Sequence, residues 1–95
     1  MLPEILSEEI KDAARKIGQF YLEKNYRDFK AAEIEINRTR ITKLEVLDNI
    51  ITIYTERPGI LIGVRGENIS ALEKFLNAKL RIIEEIDVLS YYLIP

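Results

Sequence analysis

The chain of 95 residues contains no cysteine and no histidine. The first absence excludes disulfides and zinc centres of the Cys/His type, and it suits a reducing compartment. The second removes the commonest general base and every Ser-His or Cys-His nucleophile. Long apolar runs are missing too. No stretch approaches the roughly 18 uninterrupted apolar residues that a membrane span needs. The N-terminal segment Met1-Leu2-Pro3-Glu4-Ile5-Leu6 has neither a basic region nor a long apolar core, so it does not read as a signal peptide. An excess of positive charge is also lacking: the net charge is −2 and the isoelectric point about 5.2. Tight, non-specific binding of polyanions is therefore not expected, because that term comes from many Lys and Arg contacts. A local basic site with few contacts remains compatible with this balance.

What is present is an ordinary globular composition, 47% apolar and 32% charged, at a length that suits one domain. Leu6, Ile10, Ala13, Ala14, Ile17, Phe20 and Tyr21 recur at helical spacing, which predicts a helix over about 6–25. Ser7 is placed to cap it, Glu8 and Glu9 suit its first turn, and Asn25 is a stop signal. Gly18 inside this pattern suggests close packing. Ile34 and Ile36 alternate with Glu33, Glu35 and Asn37, and Leu44 and Val46 keep the parity, which predicts a hairpin over about 33–56. With Asp48-Asn49 as the turn, Val46 pairs with Ile51 and Leu44 with Ile53, all on one face. Lys43, Glu45, Thr52 and Tyr54 then form the solvated face.

Pro58-Gly59 ends the second strand. A loop at Gly63–Gly66 and a helix from Glu67 follow, with Ile69, Leu72, Leu76 and Phe75 on its apolar side. Asn77 stops that helix, and a last strand runs over about 80–86. The strands flanking the helices should be parallel, by the crossover rule.

The segment Ile62-Gly63-Val64-Arg65-Gly66, with Ile69 three residues on, resembles the signature of the KH family: an aliphatic residue, Gly-x-x-Gly, two residues and another aliphatic. The Arg57-Pro58-Gly59 lead-in and Gly66-Glu67 are most similar to the KH domain of the universal small-subunit ribosomal protein at the mRNA entry channel. The resemblance implies an α+β fold of the type II KH kind over 1–95, in the order α-β-β-α-α-β. A three-stranded mixed sheet would carry three helices on one face, with a helix–GxxG–helix unit over about 58–78.

It also implies a non-catalytic module for single-stranded RNA, ribosomal RNA included, located in the cytoplasm and needing no cofactor or metal. In such modules the glycine loop clamps the backbone of about four nucleotides. Glycines let the backbone approach a ligand without a Cβ, and the helix start after the loop favours a phosphate. Gly63, Val64, Arg65 and Gly66 are the expected clamp, with Arg57 a further RNA contact. Ile60, Ile62 and Ile69 are the expected apolar floor.

Simpler roles compete for several of these residues. Ile62 and Ile69 fit a core as well as a groove, and Arg57 fits a solvated strand end. Arg38, Arg40 and Lys43 fit a solvated β segment better than a basic surface. The neighbouring Glu84 and Glu85 would point to opposite faces of a strand and do not make a catalytic pair. The acidic balance supports an alternative, a KH-fold module that docks a protein partner through its sheet face or through Tyr91-Tyr92-Leu93-Ile94.

Overall fold

Helix α1 (Glu8–Lys24) starts where Ser7 Oγ accepts from the Ile10 N–H at 3.2 Å and stops at Asn25. Its buried residues Ala13, Ile17, Phe20 and Tyr21 form one stripe, as the spacing predicts. Ala14 falls outside the stripe and is exposed. The structure, a computed structural model, describes residues 7–86. Leu6 and the segment Tyr91–Ile94 lie outside them.

Tyr26 and Arg27, with φ of 56° and 63°, reverse the chain after α1, and the Arg27 N–H returns to the Leu22 carbonyl at 2.8 Å. Helix α2 (Phe29–Thr39) follows, where the alternation of Ile34 and Ile36 predicts strand. The same residues carry a helical spacing: Ala32 and Thr39 are buried and Ile36 half-buried, at i, i+7 and i+4, while Ile34 is 52% exposed. Asp28 caps this helix by accepting from the Ala31 N–H at 3.1 Å. A period of two over five residues cannot compete with a cap and a buried face that packs on α1. The hairpin therefore begins at Ile41, and there are four α-helices among the described residues, not three.

Strands β1 (Ile41–Leu47) and β2 (Ile50–Thr55) pair antiparallel, with Val46 opposite Ile51 and Leu44 opposite Ile53 as expected. Asp48 supplies the positive φ, 55°, that a two-residue hairpin turn needs. Strand β3 (Lys79–Glu84) runs parallel to β2, so the sheet is mixed, in the order β1-β2-β3. It ends short of the expected 86, and Ile86 is 66% exposed.

Between β2 and β3 stand α3 (Pro58–Ile62), a 3-10 turn (Val64–Gly66) and α4 (Glu67–Leu76). The core lies between the helices and one sheet face. Tyr21, Ile53, Leu61 and Leu72 are fully buried there, with Leu76 and Leu80 around them. The Phe20 ring meets Tyr21 and Phe75 edge-on, with centroids 5.1 and 5.7 Å away.

The open sheet face carries a polar cluster: Tyr54 Oη donates to Glu45 Oε1 at 3.0 Å, and Lys43 Nζ pairs with the same oxygen at 3.1 Å. Those contacts hold the Glu45 carboxyl below, and the Tyr54 hydroxyl above, their ordinary pKa ranges. Thr52, expected on a solvated face, is buried because β2 is the central strand. Gly18 does not mark close packing: apart from its own helix backbone and chain neighbours, no atom lies within 4 Å of where its Cβ would stand. No described helix is long and apolar enough to cross a membrane.

Candidate nucleic-acid interface

The loop after α3 is built around two glycines with different duties. Gly63 ends the helix at φ 80° and ψ 174°, a backbone region open essentially to glycine alone. Its N–H donates to the Gly59 carbonyl at 2.9 Å. A Cβ on Gly63 would stand 2.8 Å from the Asn68 Cβ and 3.0 Å from the Asn68 nitrogen, so the loop is pressed onto the first turn of α4. Gly66 precedes α4 in the left-handed region, at φ 73° and ψ 15°, and no side chain caps the helix. Between them Val64 and Arg65 are exposed at the tip, and Arg65 is itself left-handed, at φ 56° and ψ 23°. Glu67 lies in the first turn of α4.

Asn68, which the sequence reading passes over, anchors the loop from beneath. Its Nδ2 donates to the Leu61 carbonyl at 2.7 Å and to Tyr21 Oη at 3.1 Å, and its Oδ1 accepts from Lys24 Nζ at 2.9 Å. Lys24 also bonds the Glu35 carboxylate, and Asn25 Nδ2 donates to the other Glu35 oxygen at 2.9 Å. One polar network thus joins α1, α2, the last turn of α3 and the start of α4 at the base of the loop. Burial alone would raise the Glu35 pKa, but the bonds from Lys24 and Asn25 and the charges of Lys24 and Arg38 outweigh it and hold the carboxyl below its ordinary range. Burial pushes the Tyr21 hydroxyl up, despite its bond with Asn68. The signal for Asn68 is weak in sequence: a polar residue just inside a helix, beside the orphan carbonyls that end the helix before it.

The remaining expected residues are divided by α3. Ile60 and Ile62, before the loop, and Ile69, after it, are all half-buried. Ile60 borders a cavity of about 590 Å³ beside the loop, together with Phe20, Lys24, Gly63, Val64 and Phe75. Ile62 and Ile69 are not among the residues lining it, and Ile69 packs on the core. Arg57 stands at the opposite end of α3 from the loop. Arg38, Arg40 and Lys43 do not share a β segment: Arg38 is in the last turn of α2, Arg40 is its left-handed C-cap, and only Lys43 is on a strand. Among the described residues no group of three or more carboxylates, Cys or His could hold a metal ion.

Comparison with known proteins finds a match to the family model for the KH domain over residues 17–89. The small ribosomal subunit protein uS3 of Hydrogenovibrio crunogenus is 38% identical over 68 residues, covering 59% of this chain. The match spans 30% of that relative's length.

Proposed function

The chain belongs to the KH family, whose members are RNA-binding modules and not enzymes, and on that premise we propose that its Gly63–Gly66 loop clamps the backbone of single-stranded RNA. The observation that carries this reading is the loop itself. Gly63 is held against Asn68 by the lack of a Cβ, and Val64 and Arg65 are left exposed at the tip. A phosphate placed at the tip meets backbone without a side chain in the way, the positive end of α4 and the Arg65 guanidinium. Such a loop holds about four nucleotides. Ile60 borders the cavity beside the loop and suits an apolar floor for the bases, which the half-buried Ile62 and Ile69 would extend only at its edge.

Glu67 follows immediately and the whole chain carries −2, so few phosphates are contacted and affinity is modest. The salt slope is accordingly shallow, about 0.7 log units of affinity per contacted phosphate on a single strand. The relative is a protein of the small ribosomal subunit. Ribosomal RNA is therefore the RNA we assign, with the cytoplasm as its place.

Replacing both Val64 and Arg65 with aspartate tests the clamp. Both residues are exposed, and aspartate is tolerated at a helix start, so the melting curve should hardly move. Two carboxylates where a phosphate must sit, with Arg65 gone, should abolish binding of a short single-stranded RNA in a fluorescence anisotropy titration. Unchanged binding by V64D/R65D would refute the clamp. If the parent itself binds no RNA, the chain is instead a KH-fold module for a protein partner, the role that its acidity favours.

A further inference from the structure

Three arginines that are scattered in sequence meet at the far end of α3. Arg38, Arg40 and Arg57 line a cavity of about 400 Å³ with Ile34, Asn37 and Ile60, and no carboxylate lines it. Three of the chain's 14 basic residues thus border one concavity of an acidic domain. The nearest carboxylate in play is Glu56, whose Oε1 pairs with Arg40 Nε at 3.0 Å and leaves the terminal guanidinium nitrogens out of that bond. Glu35, whose carboxyl feels the charge of Arg38, is occupied by Lys24 and Asn25. The side chains of Arg38 and Arg57 form no ion pair among the described residues.

The positions of these arginines are fixed from beneath. Thr55 is fully buried; its hydroxyl donates to the Thr39 carbonyl and accepts from the Arg57 N–H at 2.9 Å. The Glu56 N–H donates to the Arg40 carbonyl at 3.1 Å. The turn that ends α2 and the turn that begins α3 are therefore pinned together, and the arginines project from a rigid seam.

We propose that Arg38, Arg40 and Arg57 form a second phosphate site, which holds a phosphodiester of the same RNA strand that the Gly63–Gly66 loop clamps. The inference rests on the clamp reading for the identity of the ligand. Guanidinium groups are planar, permanently charged and matched to phosphate oxygens, and three around one concavity suit the two non-bridging oxygens of a phosphodiester better than any neutral group. The link to the loop is Ile60, which borders both this cavity and the one beside Gly63 and Val64. Arg57, Ile60 and Gly63 are three residues apart, on one side of α3. At 1.5 Å per residue they span only about 9 Å, a separation that one strand bridges within a few nucleotides.

The test is strand length. Anisotropy titrations compare an RNA of about four nucleotides, enough for the loop alone, with one two to three times as long. The parent should bind the longer strand more tightly. Arg38→Gln with Arg40→Gln should weaken the longer strand about tenfold and flatten its salt slope by roughly one unit, while the short strand binds as before. The corresponding double lysine variant keeps the charge and should keep the slope. Retained binding of the short strand shows that the variant is folded. Should the double variant melt early, Arg38→Gln alone, which breaks no ion pair, serves in its place. The second site is overturned if the longer strand binds R38Q/R40Q as it binds the parent, or if both strands weaken equally. If V64D/R65D binds like the parent while R38Q/R40Q weakens the longer strand, the clamp falls and the arginine site stands. If the parent binds neither strand, both readings fall.

Discussion

The two loop glycines should not be equally replaceable, and the difference can be worked from their surroundings. In Gly63→Ala the new Cβ demands a backbone at φ 80° and ψ 174°, which costs a residue other than glycine about 1–3 kcal/mol. The same Cβ stands 2.8 Å from the Asn68 Cβ and 3.0 Å from its backbone nitrogen, so part of the first turn of α4 must shift. Asn68 cannot move freely, because it holds the Leu61 carbonyl at 2.7 Å and Tyr21 Oη at 3.1 Å. Overpacking of this kind adds about 1–3 kcal/mol. In Gly66→Ala the Cβ has its nearest neighbour, Ile69 Cγ2, at 3.9 Å, an ordinary contact. Only the left-handed backbone is charged against it, about 1–2 kcal/mol, partly offset by lost freedom in the unfolded chain. The totals are about 2–6 kcal/mol for Gly63→Ala and about 1 for Gly66→Ala. For a domain of this size these correspond to roughly 10–30 °C and roughly 5 °C in Tm. Urea and thermal denaturation of both variants measure the gap. If Gly63→Ala costs no more than Gly66→Ala, the contact between the loop and Asn68 is not what shapes the loop.

Two further predictions follow from the network beneath the loop. Asn68→Ala leaves the Leu61 carbonyl and the Tyr21 hydroxyl, both on fully buried residues, without their donor. The expected loss in chemical denaturation is about 2–3 kcal/mol, and a change under about 0.5 would show that solvent replaces the bonds. Glu35 has its folded pKa depressed, so its contribution is present above the unfolded carboxyl pKa and fades as pH falls through the folded one. Glu35→Gln should therefore be less stable than the parent at neutral pH, and the two stability curves should converge in acid, below about pH 4. A gap that persists unchanged well below that pH would mean that the Lys24 and Asn25 bonds do not depend on the Glu35 charge.

Local chemistry accounts for much of what could be read directly. The cap at Ser7, the stops at Asn25 and Asn77, and the register of Leu44, Val46, Ile51 and Ile53 follow from spacing and turn residues. These are short-range preferences, and no distant partner overrules them. The Gly-x-x-Gly signature was equally legible, because the loop's conformation needs glycine in place and little else.

The segment 33–39 shows where such reading stops. Its alternating isoleucines suit a strand, and the face of α1 against which Ala32 and Ile36 pack, together with the Asp28 cap, makes it a helix. Gly18 shows the reverse, a residue that invites a packing reason where tertiary structure supplies none. The site divides in the same way. Gly63, Val64, Arg65 and Gly66 are contiguous, so their grouping needs no fold. Asn68 meets Tyr21 across 47 positions and Lys24 across 44, and Arg38, Arg40 and Arg57 line one cavity where bonds from Thr55 and Glu56 tie two turns together. Contacts at that separation depend on how helices pack and where strands end, and no local pattern of residue types records them.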